Sequence, residues 1–345
     1  MIPIQNIYYM LSYAFQVLNE QGYKNIATEQ FHNTGELMAA ILEKGIAIQI
    51  KRGLGKEYIP QTEALSSLRG KIDIAESIKT QSMLRKQLIC TYDEFSVNSI
   101  MNRIIKSTVE LLLRSNISKQ RKKNLRKLMV YFSEVDFIDL YTVNWNVQYN
   151  RNNQTYRMLI SICYLVVKGL LQTQSDGSTK LMDFLDEQRM CRLYEKFILE
   201  YYRREFKNQI TANASQIPWQ LDDEENSMLP VMQSDIMLQS GEKVLIIDAK
   251  YYEHSTQVQF DKHTLHSGNL YQIFTYVKNK EYELREKDHT VSGMLLYAKT
   301  DEEIYPNNVY QMSGNQITVR TLDLNLPFDE IAGQLNTIAK THFDL

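Results

Sequence analysis

Asp235 is followed thirteen residues later by Asp248-Ala249-Lys250, and the chain between them reads as a hairpin. Ser234 to Gln239 is one expected strand and Lys243 to Tyr252 (KVLIIDAKYY) the other. Gly241 falls at the tight turn, where a residue without a Cβ is favoured. A two-residue loop at Gly241-Glu242 sets Ser240 against Lys243, and pairing outward from there places Asp235 opposite Asp248. Carboxylates facing each other across a ladder stand roughly 5 Å apart at Cβ and repel unless positive charge lies between them. Lys250, two residues past Asp248, projects from the same face. Two facing carboxylates with a lysine alongside suit a Mg2+ site, with Mn2+ as substitute, and an activated water. An Asp-x-Lys triplet alone is commonplace on a solvated strand. Here, however, Val244-Leu245-Ile246-Ile247 is apolar on both faces, as in a strand buried on both sides. Charges at the end of such a strand need partners.

Three further sets of residues bear on this hairpin. Glu195 lies in a helical segment with Cys191, Ile198 and Tyr202 as its face neighbours. A glutamate on so apolar a stripe needs a cation or a metal, or else forms an ordinary helix salt bridge. Glu200, on a neighbouring face, is the reserve. Gln272 and Tyr276 are four apart and share a helical face, from which they can orient a lysine or contact a phosphate. His263-x-x-His266 has no Cys or further His at zinc-ligand spacing, so His266 reads as a phosphate contact instead.

These groups must be held by ordered elements. Helical periodicity covers residues 4–20, then Thr34 to Lys44, where Gly45 is the expected stop. Ile46 to Ile50 reads as a strand, followed by the basic turn Lys51-Arg52-Gly53-Leu54-Gly55-Lys56 and a strand at Tyr58. Further strands are expected near Leu68 to Ile74 and over Leu88 to Phe95, so a small β cluster spans 46–95. Asn98 to Arg114 is helical. Lys119 to Lys127 holds six basic residues in nine, including Lys122 and Lys123. It is either a solvated helix end or a patch facing phosphate or a partner. After polar breaks at 150–155 and 173–180 come a helix over Asp183 to Phe206, an acidic loop at 222–225 and the hairpin. A helix over His263 to Lys280, strands at 292–298 and 316–322, and a helix over Pro327 to His342 follow. That order predicts a mixed α/β fold. The expected domains are an N-terminal α+β domain over 1–150 and an α/β domain with a mixed central sheet over 151–345.

Composition bounds the function. At 345 residues with net charge −2, the chain is not a polycation, and any DNA contact comes from local basic patches. Three scattered cysteines predict no disulfide framework and fit a reducing, cytoplasmic setting. The N-terminal MIPIQNIYYMLSYAF has no basic leader region or cleavage site, and Met158 to Leu171 is too short to span a bilayer, so no membrane role is expected. No Gly-x-x-x-x-Gly-Lys-Ser/Thr loop and no Gly-x-Ser-x-Gly elbow occurs.

With these residues in place the pattern resembles the PD-(D/E)xK nuclease superfamily, in which a helix glutamate precedes a hairpin carrying an Asp and then an Asp/Glu-x-Lys. Gln272 and Tyr276 look like its RecB-like branch, and Ser234 stands where other branches have proline. More narrowly, the chain resembles the McrC family, the nuclease subunits of methylation-dependent McrBC restriction systems, over nearly its whole length. The match rests on residues 6–14 (NIYYMLSYA), 51–54 (KRGL) with Tyr58, 68–72 (LRGKI), 101–106 (MNRIIK), 193–197 (LYEKF), 247–252 (IDAKYY) and 266–272 (HSGNLYQ). The resemblance implies a restriction-endonuclease-like C-terminal domain that cuts double-stranded DNA containing modified cytosine. It also implies a partner, an McrB-like AAA+ GTPase hexamer that binds GTP, reads the modified base and is stimulated by the N-terminal domain. On this reading Asp235, Asp248 and the Ala249 carbonyl hold Mg2+, Glu195 completes the shell, and Lys250 activates the water. Gln272 and Tyr276 then position Lys250. Lys51 and Arg52, within the β cluster, are the candidate motor contact. A stand-alone RecB-like repair nuclease and a non-catalytic adaptor of an AAA+ motor are the alternatives.

Overall fold

The structure, a computed structural model, describes residues 2–15, 18, 23, 26, 29, 31–150, 153–175, 187–223, 228–252, 257–259, 262–299 and 305–345. In chain order the helices and strands of the first half are α1 (Ile4–Ala14), α2 (Thr34–Arg52), β1 (Glu57–Leu65), β2 (Lys71–Asp73), α3 (Ile74–Lys79), β3 (Leu88–Ser96), α4 (Ile100–Arg114), α5 (Lys119–Met129) and α6 (Tyr156–Ser175). There follow α7 (Glu187–Glu205), β4 (Thr211–Asn213), β5 (Gln216–Ile217), β6 (Met232–Gln233), β7 (Ile236–Ser240), β8 (Lys243–Lys250), β9 (Gln257–Gln259), β10 (Lys262–Thr264), α8 (Ser267–Leu284), β11 (Thr290–Ala298), β12 (Asn308–Met312), β13 (Asn315–Leu322) and α9 (Phe328–Phe343).

The chain packs as two compact units, one of Met1–Glu20 with Asp183–Leu345, the other of Gln21–Met182. The expected division at 150/151 is thus displaced at both ends. The first helix belongs to the C-terminal unit because its polar and aromatic side chains find their partners there. Asn6 Nδ2 donates to the carbonyls of Leu324 and Leu326 at 2.7 and 2.8 Å, and Tyr9 stacks on Phe328 with ring centroids 4.4 Å apart. α6, beyond the expected boundary, packs instead on α2 and α4.

In the Gln21–Met182 unit, the expected helix stop at Gly45 does not occur. α2 runs through it to Arg52, so the predicted strand over 46–50 is helical, and Lys51 and Arg52 form the last helical turn. Gly45 serves packing: a Cβ there would collide with the Leu159 side chain of α6 and the Tyr23 hydroxyl. The helix ends instead at Gly53, whose φ of 88° an L side chain resists. The β cluster is a three-stranded antiparallel sheet in the order β1-β3-β2. Its middle strand matches the expectation at Leu88, while the strand expected near 68–74 is confined to Lys71–Asp73. It ends there because Asp73 caps α3, accepting from the Glu76 amide at 2.9 Å.

The other unit is built on a six-stranded mixed sheet in the order β12-β13-β11-β8-β7-β4. β8, β11 and β13 run parallel to one another, and β7, β4 and β12 are antiparallel to their neighbours. β8 is buried along its length, as its unbroken apolar run predicts. Val244 and Ile246 face Ile273 and Val277 of α8, while α7 packs over β4, β7 and β8. The expected helix from His263 begins only at Ser267, because His263 pairs with Val258 across the β9–β10 hairpin. Residues 16–17, 176–186, 224–227 and 300–304, which include parts of the expected first helix, polar break and acidic loop, lie outside the described residues. No helix among the described residues is long and apolar enough to cross a membrane.

Candidate active site

The hairpin forms in the predicted register. Ser240 pairs with Lys243 and Ile236 with Ile247, and the Gly241 φ of 56° supplies the turn. Asp235 lies one residue beyond the ladder, at the position opposite Asp248. Its carboxylate turns toward the neighbouring strand backbone, where Oδ2 accepts the Ala249 N–H at 3.0 Å. Strand alternation places Asp248 and Lys250 on the same face as Val244 and Ile246.

Asp248 is the most constrained group of the site. Its side chain is 1 % exposed, and neither carboxylate oxygen receives a hydrogen bond. Lys250 Nζ stands 2.8 Å from Asp248 Oδ2, an ion-pair contact whose orientation is not that of a directed hydrogen bond. Burial pushes the Asp248 carboxyl up to about 7. Asp235 adds to the rise, and the Lys250 ammonium opposes it. Burial disfavours the Lys250 ammonium, yet Asp248 and then Asp235 hold its pKa above the ordinary lysine value.

The lysine is also held from above. Its Nζ donates to Gln272 Oε1 at 3.3 Å, and Gln272 Nε2 donates to the Tyr276 hydroxyl at 2.9 Å. Both side chains come from one face of α8, as their spacing of four predicts. Glu195 comes from α7. The Cys191 thiol, one turn earlier, donates to Glu195 Oε1 at 3.1 Å and approaches the Ala249 carbonyl at 4.0 Å. Burial, and after it Asp235, raises the Glu195 pKa. The reserve residue, Glu200, is engaged elsewhere, accepting from Arg203 at 2.7 Å.

Among the described residues no three His, Cys, Asp or Glu side chains cluster tightly enough to enclose a metal by themselves. The residues nevertheless fit a divalent cation. A buried carboxylate whose oxygens receive no directed hydrogen bond, with a second carboxylate close enough to raise its pKa, lacks positive charge that one ammonium only partly supplies. Asp235, Asp248 and the Ala249 carbonyl would hold the ion, and Glu195 would reach it through water.

Other expected residues fall elsewhere. His266 occupies the N-cap of α8 without a capping bond from its side chain, its ring 5.5 Å from that of Tyr252. Lys51, Arg52, Lys122 and Lys123 lie in the other unit, the first two exposed at the end of α2 and the last two on α5. Two features had only weak or no sequence signals. The Cys191–Glu195 contact is an i, i+4 pair that the pattern offers but does not single out. The chain of bonds from the Tyr252 hydroxyl to Asn269 (3.3 Å) and from Asn269 Nδ2 to the Tyr297 hydroxyl (2.9 Å) joins three distant segments beside Lys250, with which Tyr297 is in register.

Comparison with known proteins gives consistent relatives. The family model described as "McrBC 5-methylcytosine restriction system component" matches residues 5–298. The Escherichia coli (strain K12) protein named Type IV methyl-directed restriction enzyme EcoKMcrBC is 30% identical over 329 residues, covering 94% of this chain and 93% of that protein. Among solved structures, a chain in the half-complex of Thermococcus gammatolerans McrB AAA+ hexamers with bound McrC aligns at 19% identity. It covers 97% of this chain and 76% of that one, with a TM-score of 0.48. A chain of the Thermococcus gammatolerans McrBC complex aligns at 22% identity over 59% of each chain, with a TM-score of 0.41. With most of its length matched by the family model and nearly all of it by a curated relative, this chain belongs to the family of McrBC 5-methylcytosine restriction system components.

Proposed function

We propose that this chain is the DNA-cutting subunit of a modified-cytosine-dependent restriction complex, a Mg2+-dependent endonuclease of the PD-(D/E)xK type. The observation that carries the reading is the buried Asp248 carboxylate, bare of hydrogen bonds beside Lys250 and opposite Asp235. Family membership supplies the context, since a restriction system component must act on DNA.

In the mechanism, Asp235 and Asp248 would hold the cation, with the Ala249 carbonyl as a further donor. When bound, Mg2+ polarises the scissile phosphate and lowers the pKa of a water. Lys250 holds the attacking water beside the phosphate and stabilises the negative charge that builds there. Gln272 fixes the direction of the Lys250 ammonium, and Tyr276 fixes Gln272. Glu195, kept in place by the Cys191 thiol, would order water beside the ion.

The partner is an McrB-like AAA+ GTPase hexamer, which binds GTP, reads modified cytosine and brings the DNA. The absence of a phosphate-binding Gly-rich Lys-Ser/Thr loop in this chain suits that division of labour. The β1–β3 sheet and the end of α2 are the proposed motor contact. Supporting this, Leu68, Ile72, Ile74, Ile78, Met83 and Leu84 are all exposed there, an apolar surface of the kind that marks a protein interface. Loss of GTPase stimulation in Lys51→Ala/Arg52→Ala tests the basic end of that contact, and undiminished stimulation would remove those two residues from it.

The central test is cleavage of methylated and unmethylated plasmid by wild type and Asp248→Ala, with and without the motor and GTP. The reading expects cutting only with motor, GTP, Mg2+ and an intact Asp248. Equal cutting by Asp248→Ala would overturn it, and full cutting with Mg2+ alone would make the chain a stand-alone nuclease.

A further inference from the structure

We propose that the exposed face of α5 is a second DNA-contacting site, an electrostatic track for the phosphates of duplex DNA. Lys119, Lys122, Lys123, Arg126 and Lys127 stand at i, i+3, i+4, i+7 and i+8, so all five lie on one helical face. Lys119, Lys123, Arg126 and Lys127 are exposed and Lys122 is half-buried. The helix contains no acidic residue in its first turn or anywhere else.

The helix dipole favours only Arg126 and Lys127 of the five, which lie in the last turn. Like charges three and four apart repel and weaken a helix. Lys119 and Lys122 also sit at the helix N-terminus, where the dipole disfavours cations. The fold treats a structural cation very differently. Arg121, on the opposite face of the same helix, pairs with Glu29, Glu36 and Glu43 at 2.9, 3.3 and 2.8 Å. None of the five stripe cations forms an ion pair with a described residue. A row of mutually repelling cations without ion-pair partners among the described residues is matched by an external polyanion.

Charge complementarity favours DNA over protein as the occupant. The stripe spans about 12 Å of helix axis, and a duplex carries about seven phosphate charges over that length. The centres of protein interfaces are depleted of lysine and built around apolar anchors, whereas this face has lysines at its centre and exposed apolar residues, Val130 and Tyr131, only beyond its C-terminal end. The inference rests on the DNA-cutting reading only in taking duplex DNA, not another polyanion, as the ligand.

The test uses the full chain carrying Asp248→Ala, so that no probe is cut, and a fluorescent duplex of about two helical turns lacking modified cytosine. Binding is measured by anisotropy across a salt series. Each phosphate contact contributes a slope of about 0.9 in log affinity against log salt. Lys123→Gln/Arg126→Gln should lower the slope by about 1.8, and neutralising all five should lower it further. Equal charge removal at Lys207→Gln/Lys287→Gln, off the stripe, should leave it unchanged. Glutamine keeps helix propensity close to that of lysine, and circular dichroism verifies that each variant stays folded. An unchanged slope in the five-residue variant overturns the proposal, as does an equal fall in the off-stripe control. Loss of motor stimulation with no change in the DNA slope also overturns it, and assigns the face to a protein. Failure here leaves Asp248-dependent cleavage by the otherwise unaltered chain intact, whereas failure of the nuclease reading removes cleavage and leaves the salt slope in place.

Discussion

Lowering the pH from 8 to 6 should weaken Mg2+ binding to this chain about tenfold. The perturbation acts on Asp248, whose carboxyl is pushed up to about 7 by burial, with Asp235 adding and Lys250 opposing. Only the ionised carboxylate binds the cation, so protons and Mg2+ compete for it. With a pKa of about 7, roughly one molecule in eleven is ionised at pH 6 and about ten in eleven at pH 8, which sets the factor. Isothermal titration at pH 6, 7 and 8 in buffers of different ionisation enthalpy reads both the affinity and the proton released on binding. The same group makes a stability prediction in metal-free buffer. Its folded-state pKa stands above the ordinary aspartate value of 3.8, so the unfolded chain gives up this proton first as pH rises. The stabilisation is therefore fully present below about pH 4 and is lost as pH rises toward about 7. Midway through that window the slope is about 1.4 kcal/mol per pH unit from this group alone. Urea unfolding at pH 5 and 6 should show that slope in wild type and its loss in Asp248→Asn. A Mg2+ affinity that is the same at pH 6 and pH 8, or a slope that survives Asp248→Asn, would refute the reasoning.

Gln272→Ala should reduce cleavage by one to two orders of magnitude with little change in DNA affinity, because it frees the Lys250 ammonium without removing charge. Single-turnover kinetics beside a binding isotherm separates the two effects. Gly45→Ala should destabilise the chain by about 1–3 kcal/mol through collision with the Leu159 side chain, and Leu159→Ala in the same background should recover part of the loss in urea unfolding. Asn102→Ala should cost about 2–4 kcal/mol, measured the same way. Its Nδ2 donates to the carbonyls of Gly55 and Val97 at 2.9 and 2.8 Å and its Oδ1 accepts from the Tyr156 hydroxyl at 2.9 Å, and the Asn102 side chain is buried.

The hairpin was legible because its information is local. Alternation, an apolar run and one glycine determine which residues of β7 and β8 face each other, and so Asp235 is placed opposite Asp248 without any knowledge of the rest of the chain. The Gln272–Tyr276 and Cys191–Glu195 pairs follow from helical period in the same way. Gly45 misleads for the opposite reason: a glycine that ends a helix and a glycine that admits a neighbouring side chain are identical in sequence, and only Leu159 decides between them. The domain division failed likewise, because the partners of Asn6 and Tyr9 lie more than three hundred residues away. What the amino-acid sequence determined by itself was the chemistry: the carboxylates, the lysine and their spacing along periodic elements. Tertiary structure alone decided that Asp248 is buried beside Lys250, that Lys250 is steered by α8, and that α1 completes the C-terminal unit. Those properties depend on burial and on contacts between distant segments, which no local period encodes.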